Sequence, residues 1–323
     1  MERDQEKRPS GTERGEAARK RKKRHSENGE APSGRGNSAG GRNRKRTKAG
    51  AAEERRGAGA KSAKKRKQKK GSLNIGSTVV LIAAVCVFVF SLYQLVMTLV
   101  PYYTGGQEYD EIRDLAITTD DNDDGEGSGQ GFSVDFDALL EQNADTVAWI
   151  RFDEPSQINY PVVKSADNKE YLTKTFVAND NKLGAIFMDC RNNSDFSDRN
   201  TFIYGHHLNV GGEMFSELLQ YEDESFCKEN PNFYIYTPDG KVRMYTVFSA
   251  GIVKDTADNY KITYESDEAF TEYLNVCKSS SNYQVDVELN AQSKIVSLST
   301  CTNVRDDERF LVQGVLTEEL GGE

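Results

Sequence analysis

Cys301 closes the run Ser297-Leu298-Ser299-Thr300-Cys301, Arg309 follows it by eight residues, and Gly205-His206 places a histidine 95 residues upstream of the thiol. A thiol, an imidazole and a guanidinium together suit acyl transfer through a covalent intermediate. Cysteine is a strong nucleophile near neutral pH, and its thiolate forms more readily beside a cation. A histidine supplies that charge and then shuttles protons, while a guanidinium stabilises a developing oxyanion.

The elements that must position these groups are legible around them. Residues 294 to 301 read as a strand, with Val296, Leu298 and Thr300 on one face and Ile295, Ser297, Ser299 and Cys301 on the other. A polar loop follows, and Arg309 opens a second apolar run through Leu316. Antiparallel pairing of the two runs sets Arg309 across from Cys301 at roughly 5 Å of backbone. Thr201-Phe202-Ile203-Tyr204 is a short apolar strand that Gly205 ends, so His206 sits at a strand end, where loops carry function. Ser299 shares the cysteine's face and, with its neighbour Thr300, is a candidate substrate-binding residue.

Competing side chains have poorer settings. Of the five cysteines, Cys86 falls in an apolar run, and Cys190, Cys227, Cys277 and Cys301 are widely spaced without CxxC pairs. That spacing argues against a disulfide framework and against a zinc site, so no metal is expected. Cys190 is the rival nucleophile. His207 points to the opposite side of an extended chain from His206, and His25 belongs to a basic tail. Arg305 is the substitute for Arg309, but lies beside Asp306, Asp307 and Glu308.

Over about residues 132 to 316 the chain resembles the sortase family, and within it the class B branch of membrane-anchored transpeptidases of Gram-positive bacteria. Leu298-Ser299-Thr300-Cys301 is similar to the family's nucleophile motif, Tyr204-Gly205-His206-His207 to its histidine motif, and Arg309 to its arginine. Asp145-Thr146-Val147-Ala148-Trp149-Ile150, Ile158-Asn159-Tyr160-Pro161-Val162-Val163 and Ile186-Phe187-Met188-Asp189 also look like class B. The resemblance selects His206, directly after Gly, over His207. It implies cleavage of a C-terminal sorting motif in secreted proteins and transfer to an amine of peptidoglycan or its lipid-linked precursor, with no cofactor. Delivery of the same thioester to water would make a cysteine hydrolase or peptidase. Pilus assembly is a further role within the family, and a membrane-tethered binding module would need none of the three residues.

The domain's own pattern points to a mainly β fold. Residues 233–237 and 241–248 flank Pro238-Asp239-Gly240, a hairpin turn. Phe136, Leu139 and Leu140 mark a short helix, and Phe270, Tyr273, Leu274 and Cys277 share one face of a helix from Asp267 to Lys278. Many strands with few helices in about 190 residues favour a closed β-barrel. The resemblance implies eight strands, side helices and a helix in the long connection before the cysteine strand, where Asp267 to Lys278 falls.

Ahead of the domain the composition is sharply asymmetric. Residues 1–70 hold 25 Lys/Arg and 9 Asp/Glu, a net of +16, against −25 for the remainder. This tail has no Phe, Tyr or Trp and cannot bury enough apolar surface to order itself. Without stacking aromatics it is not expected to bind a specific nucleic acid; its charge is expected to be solvated, with anionic lipid headgroups as the alternative partner. Val79 to Val100 is a 22-residue apolar run, about 33 Å as a helix, which suits a single membrane span. The basic cluster at residues 64–70 puts the N-terminus in the cytoplasm and the large C-terminal part outside. The expected divisions are a disordered tail at 1–75, a signal-anchor helix at 76–101, an acidic Gly-rich spacer at 102–131 and the catalytic domain at 132–323. Within the spacer, Asp120-Asp121-Asn122-Asp123-Asp124-Gly125 matches half of a calcium loop, but Gly131 stands where the bidentate Glu belongs.

Overall fold

Alternating apolar and polar residues between Thr146 and Leu320 build strands whose inner faces need one another, and they satisfy that need by closing on themselves. The computed structural model describes residues 74–119, 131–208 and 211–321. The basic tail and the acidic run of the calcium-loop match lie outside the described residues. In chain order the main elements are α1 (Ile75–Ala116), β1 (Ile117–Thr119), β2 (Phe132–Val134), α2 (Phe136–Gln142), β3 (Thr146–Phe152), β4 (Asn159–Val163), β5 (Ile186–Met188) and β6 (Asn200–Tyr204). These are followed by α3 (Glu224–Glu229), β7 (Asn232–Tyr236), β8 (Val242–Lys254), α4 (Asp267–Ser280), β9 (Ile295–Cys301) and β10 (Glu308–Leu320).

Among the described residues eight strands close a barrel in the order β10-β8-β7-β3-β4-β5-β6-β9, the mainly β architecture expected from the sequence. The β4–β5 and β6–β9 pairs are parallel and the others antiparallel. The interior is filled by Trp149, Phe233, Val296, Leu298 and Val312, all fully buried. A polar thread lies on the opposite face of these strands, beneath α4. Ser297 Oγ donates to Asn200 Oδ1 at 2.8 Å, Gln313 Nε2 donates to Ser297 Oγ at 2.9 Å, and Asn200 Nδ2 donates to Tyr273 OH at 2.8 Å. These bonds tie β6, β9 and β10 to α4.

The helix α4 starts where Ser266 Oγ accepts from the Ala269 N–H at 3.2 Å, with Asp267 and Glu268 in its first turn and Lys278 in its last. That placement suits the cap and the helix dipole. Its buried face is Phe270, Tyr273, Leu274 and Cys277, packed with Phe248, Ile295 and Val315 of the barrel.

The helix α1 departs from the expected divisions. Residues 102–116 are helical, although Pro101 and Gly105-Gly106 read as breakers and composition suggested a spacer. Gly105 is needed for close approach, since a Cβ there would lie 2.7 Å from Leu183 Cδ2. Gly105, Tyr109, Ile112 and Ala116 recur at helical spacing and are buried, so the second part of α1 lays one stripe on the domain. Upstream, Val80, Phe88 and Leu95 are exposed and an 18-residue window has a mean hydropathy of 2.6 with none of it buried. Tyr109 is the anchor: its OH donates to Gly184 O at 2.8 Å and accepts from the Phe176 N–H at 3.2 Å. Arg113 Nη1 donates to Asn159 O and Asn181 Nδ2 to Pro101 O.

Tyr109→Phe strands two buried backbone groups and is expected to cost about 1–3 kcal/mol of stability. Urea unfolding of a chain that begins at residue 102 checks this, and a chain that begins at 132, lacking the packed stripe, is expected to be less stable than either.

Candidate active site

The antiparallel ladder between β9 and β10 puts Arg309 directly opposite Cys301, with Phe310 opposite Thr300 and Leu311 opposite Ser299. This is the arrangement the alternating pattern predicts. Cys301 is half-buried at the open end of β9. The Arg309 guanidinium is held from behind, as Nη1 donates to the carbonyls of Asp306 at 2.7 Å and Glu308 at 2.9 Å. Nη2 lies 3.6 Å from Asp255 Oδ2.

On the other side of β9 the pairing with β6 is parallel, with Tyr204 opposite Ser299. His206 therefore comes two residues beyond Tyr204 just as Cys301 comes two beyond Ser299. The Gly205 N–H continues the ladder to Ser299 O at 3.2 Å. Glycine is required at 205 by crowding, because a Cβ would lie 2.5 Å from Ile186 Cδ1 and 2.7 Å from the Phe215 ring. His206 Nε2 sits 2.7 Å from Leu172 O. A carbonyl only accepts, so Nε2 carries the proton, and Nδ1 is the nitrogen left for exchange. His207 turns away from its neighbour, and its Nδ1 donates to the Cys301 carbonyl at 3.1 Å. The pair is further fixed by Phe215 N–H on His206 O at 3.0 Å and by Asn303 Nδ2 on His207 O at 2.8 Å. His207 thus braces the strand end.

Cys301, His206 and Arg309 line one cavity of about 450 Å³, together with Ser299, Thr300, Tyr204 and Tyr260. Ser299 Oγ and Tyr260 OH are 2.7 Å apart. Burial pushes the Tyr260 phenol up to about 12, so it stays protonated and pairs with the serine as a neutral group. Thr300 also lines the cavity, and its Oγ1 is buried without a hydrogen-bond partner. Cys190 and Arg305 lie outside the lining. The Cys190 backbone donates to Asn168 Oδ1 at 2.8 Å, and Arg305 is exposed and paired with Glu308 at 3.1 Å. Among the described residues no cluster of three His, Cys, Asp or Glu side chains could hold a metal ion.

Sequence reasoning missed Leu172, Asn168, Arg191, Asp255 and Tyr260, all of which line the same cavity. Leu172 contributes a backbone carbonyl to His206, for which no side-chain pattern exists. Tyr260 and Asp255 come from the connection after β8, far from the motif strands.

The close packing around His206 can be tested at Gly184. Its φ is +66°, and a Cβ would lie 2.8 Å from His206 Cδ2 and 2.8 Å from Tyr171 O. Gly184→Ala is expected to add about 1–2 kcal/mol of left-handed strain and to lower turnover about 100-fold by displacing the imidazole. Parallel urea unfolding and single-turnover assays separate the two effects.

Comparison with known proteins places these features in a family. The Sortase family model, described as a sortase domain, matches residues 154–317. Sortase B of Listeria monocytogenes is 34% identical over 182 residues, covering 55% of this chain and 72% of that protein. Sortase B of Staphylococcus aureus is 34% identical over 167 residues, covering 51% and 67%. Among solved structures, sortase B from Bacillus anthracis in complex with AAEK1 superposes with a TM-score of 0.58 at 29% identity, covering 68% of this chain and 99% of that one. A Staphylococcus aureus sortase B-substrate complex gives a TM-score of 0.53 at 29% identity, covering 57% and 84%.

Proposed function

The chain belongs to the sortase family, class B, whose members are cysteine transpeptidases, and from that premise we propose that Cys301, His206 and Arg309 carry a two-step transpeptidation of sorting-signal peptides. The observation that carries this reading is the double pairing of β9, which sets Arg309 opposite Cys301 and brings His206 alongside into one cavity.

In the first step the Cys301 thiolate attacks the carbonyl of a threonine-like residue in an extended sorting peptide. The Arg309 guanidinium, fixed by its two backbone carbonyls, stabilises the tetrahedral oxyanion. His206, as imidazolium, gives a proton from Nδ1 to the departing amine, the peptide C–N bond breaks, and a thioester remains on Cys301. Nε2 keeps its proton on Leu172 O throughout, which holds the ring in one orientation. In the second step an amine of peptidoglycan or its lipid-linked precursor attacks the thioester. Neutral His206 takes the amine's proton, and the thiolate leaves. Relatives support both substrates, since one solved sortase B is a substrate complex and another is complexed with triglycine.

The apolar part of α1 is read as a single membrane span with the basic N-terminus in the cytoplasm and the barrel outside. Because the helix runs on without a break to Ala116 and packs on the domain, this reading sets the domain close to the span rather than on a long tether.

Mass spectrometry of a chain that begins at residue 102, incubated with threonine-containing sorting peptides with and without triglycine, tests the reading. A thioester on Cys301 and an amine-dependent ligated product are expected, both absent in Cys301→Ala. His206→Ala and Arg309→Ala are each expected to lower kcat/KM by about 10²–10⁴-fold. Cleavage to free acid even with triglycine present would identify a hydrolase, and failure of every peptide to acylate wild-type Cys301 would refute the proposal.

A further inference from the structure

Asp189 follows β5 directly, and its side chain is fully buried beneath the cavity that holds Cys301. Its carboxylate accepts five hydrogen bonds. Arg191 supplies three of them, from its backbone N–H at 2.9 Å, Nε at 2.8 Å and Nη2 at 2.7 Å. Tyr204 OH at 2.8 Å and Asn168 Nδ2 at 3.0 Å complete the set. Burial alone would push this carboxyl up, but the bonds from Arg191 and Tyr204 outweigh it, so the group stays ionised and lies below the usual carboxylate range.

Every side chain that Asp189 holds lines the cavity: Arg191, Tyr204 and Asn168. Arg191 is the unusual one. Its side chain is 58% exposed, yet it is pinned by a carboxylate with no exposure at all. An ordinary surface arginine gains little from pairing and moves freely; this one is fixed along the Nε–Nη2 edge of its fork. Asp189 leaves the Nη1–Nη2 edge unused, and the pinned fork keeps that edge planar and preorganised. An edge of that kind matches a carboxylate in bidentate geometry. Asp255 is the one carboxylate among the residues that line the cavity, and it already faces Arg309, so no lining acid competes for the open side of Arg191.

We propose that Arg191, oriented by Asp189, is a specificity subsite that binds a carboxylate on one of the two peptide substrates. The proposal rests on the transpeptidase reading above and names a recognition element of the same cleft. The carboxylate has two sources, an acidic side chain in the sorting peptide or a carboxylate carried by the acceptor, and the two half-reactions distinguish them.

The test uses the full chain in detergent micelles. Threonine-containing peptides in which Glu or Gln is scanned through each other position are compared for thioester formation without acceptor, which reads the sorting peptide alone. Transfer from the preformed thioester to triglycine or to triglycine amide reads the acceptor alone. The carboxylate member is expected to be favoured in one arm by about 10-fold or more, as a charge-assisted hydrogen bond of about 1.5–3 kcal/mol implies. Arg191→Gln is expected to abolish that preference while the Gln peptide or the amide acceptor still reacts, and Arg191→Lys, which keeps the charge without the fork, to retain part of it. Loss of the preference with retained turnover of the neutral substrate distinguishes recognition from a merely structural ion pair. Equal rates for Glu and Gln at every position together with equal rates for the two acceptors overturn the proposal in the wild-type chain alone, and so does a preference that survives Arg191→Gln. Absence of any thioester in wild type instead refutes the transpeptidase reading and removes the subsite with it.

Discussion

Strand β9 is hydrogen-bonded on both sides, antiparallel to β10 and parallel to β6, and the site depends on that double pairing. The antiparallel ladder sets a one-to-one opposition, Arg309 against Cys301. The parallel ladder does something different, because it makes two strands end side by side and point their next residues the same way. A cysteine that ends one and a histidine just beyond the other arrive at the same rim. Neither ladder alone assembles three groups, and both are backbone interactions. The candidate catalytic side chains are therefore positioned by atoms that carry no sequence signature.

Such an arrangement requires a fixed register, since a slip of one residue would turn Cys301 and Ser299 to the opposite face. The buried polar thread of Asn200, Ser297, Gln313 and Tyr273 supplies that requirement. It joins β6, β9 and β10 through side-chain hydrogen bonds that a shifted strand could not make, and any shift would leave polar groups unpaired in the interior. The aromatic packing of α4 on Phe248, Ile295 and Val315 seals the same strands from outside.

The hairpin from β9 to β10 was legible because period-two alternation on each side of a polar loop predicts both strands and their opposition. The turn at Pro238-Asp239-Gly240 and the capped, one-faced helix α4 were legible for the same local reasons. The parallel partner of β9 was not. Residues 200–204 and 295–299 are separated by some ninety residues, and nothing in an apolar run states which other run it will meet. The resemblance to a family placed His206 beside Cys301 where pattern alone could only place it at a strand end. The packed part of α1 was hidden by a different effect. Pro101, Gly105 and Gly106 favour a spacer when judged by propensity, but tertiary contact with Leu183 and the Tyr109 hydrogen bonds outweigh that preference. Leu172 and Asp189 were missed as site residues because one acts through its backbone and the other from beneath the cavity.

The same segment that receives α1 also shapes the site. Tyr109 holds Phe176 N and Gly184 O, Glu108 accepts from Val177 N and Asn179 Nδ2, and Pro101 O accepts from Asn181, so the helix fastens the connection from β4 to β5 through five hydrogen bonds. That connection carries Leu172, whose carbonyl orients His206, and Gly184, whose Cα leaves no room for a side chain against the imidazole. The lengthy loop has a short turn at residues 170–172 and a bridge between Lys174 and Asp180, and it is held from outside by Asn143 and Asp145, by α1 and by the histidine. A chain shortened to the barrel alone keeps Cys301, His206 and Arg309 in sequence but lacks the hold of α1, with Phe176 N and Gly184 O deprived of their buried partner. The active-site half of the loop then loses one of the supports that fix it. For this chain the folded unit therefore begins within α1, and not at the first strand of the barrel.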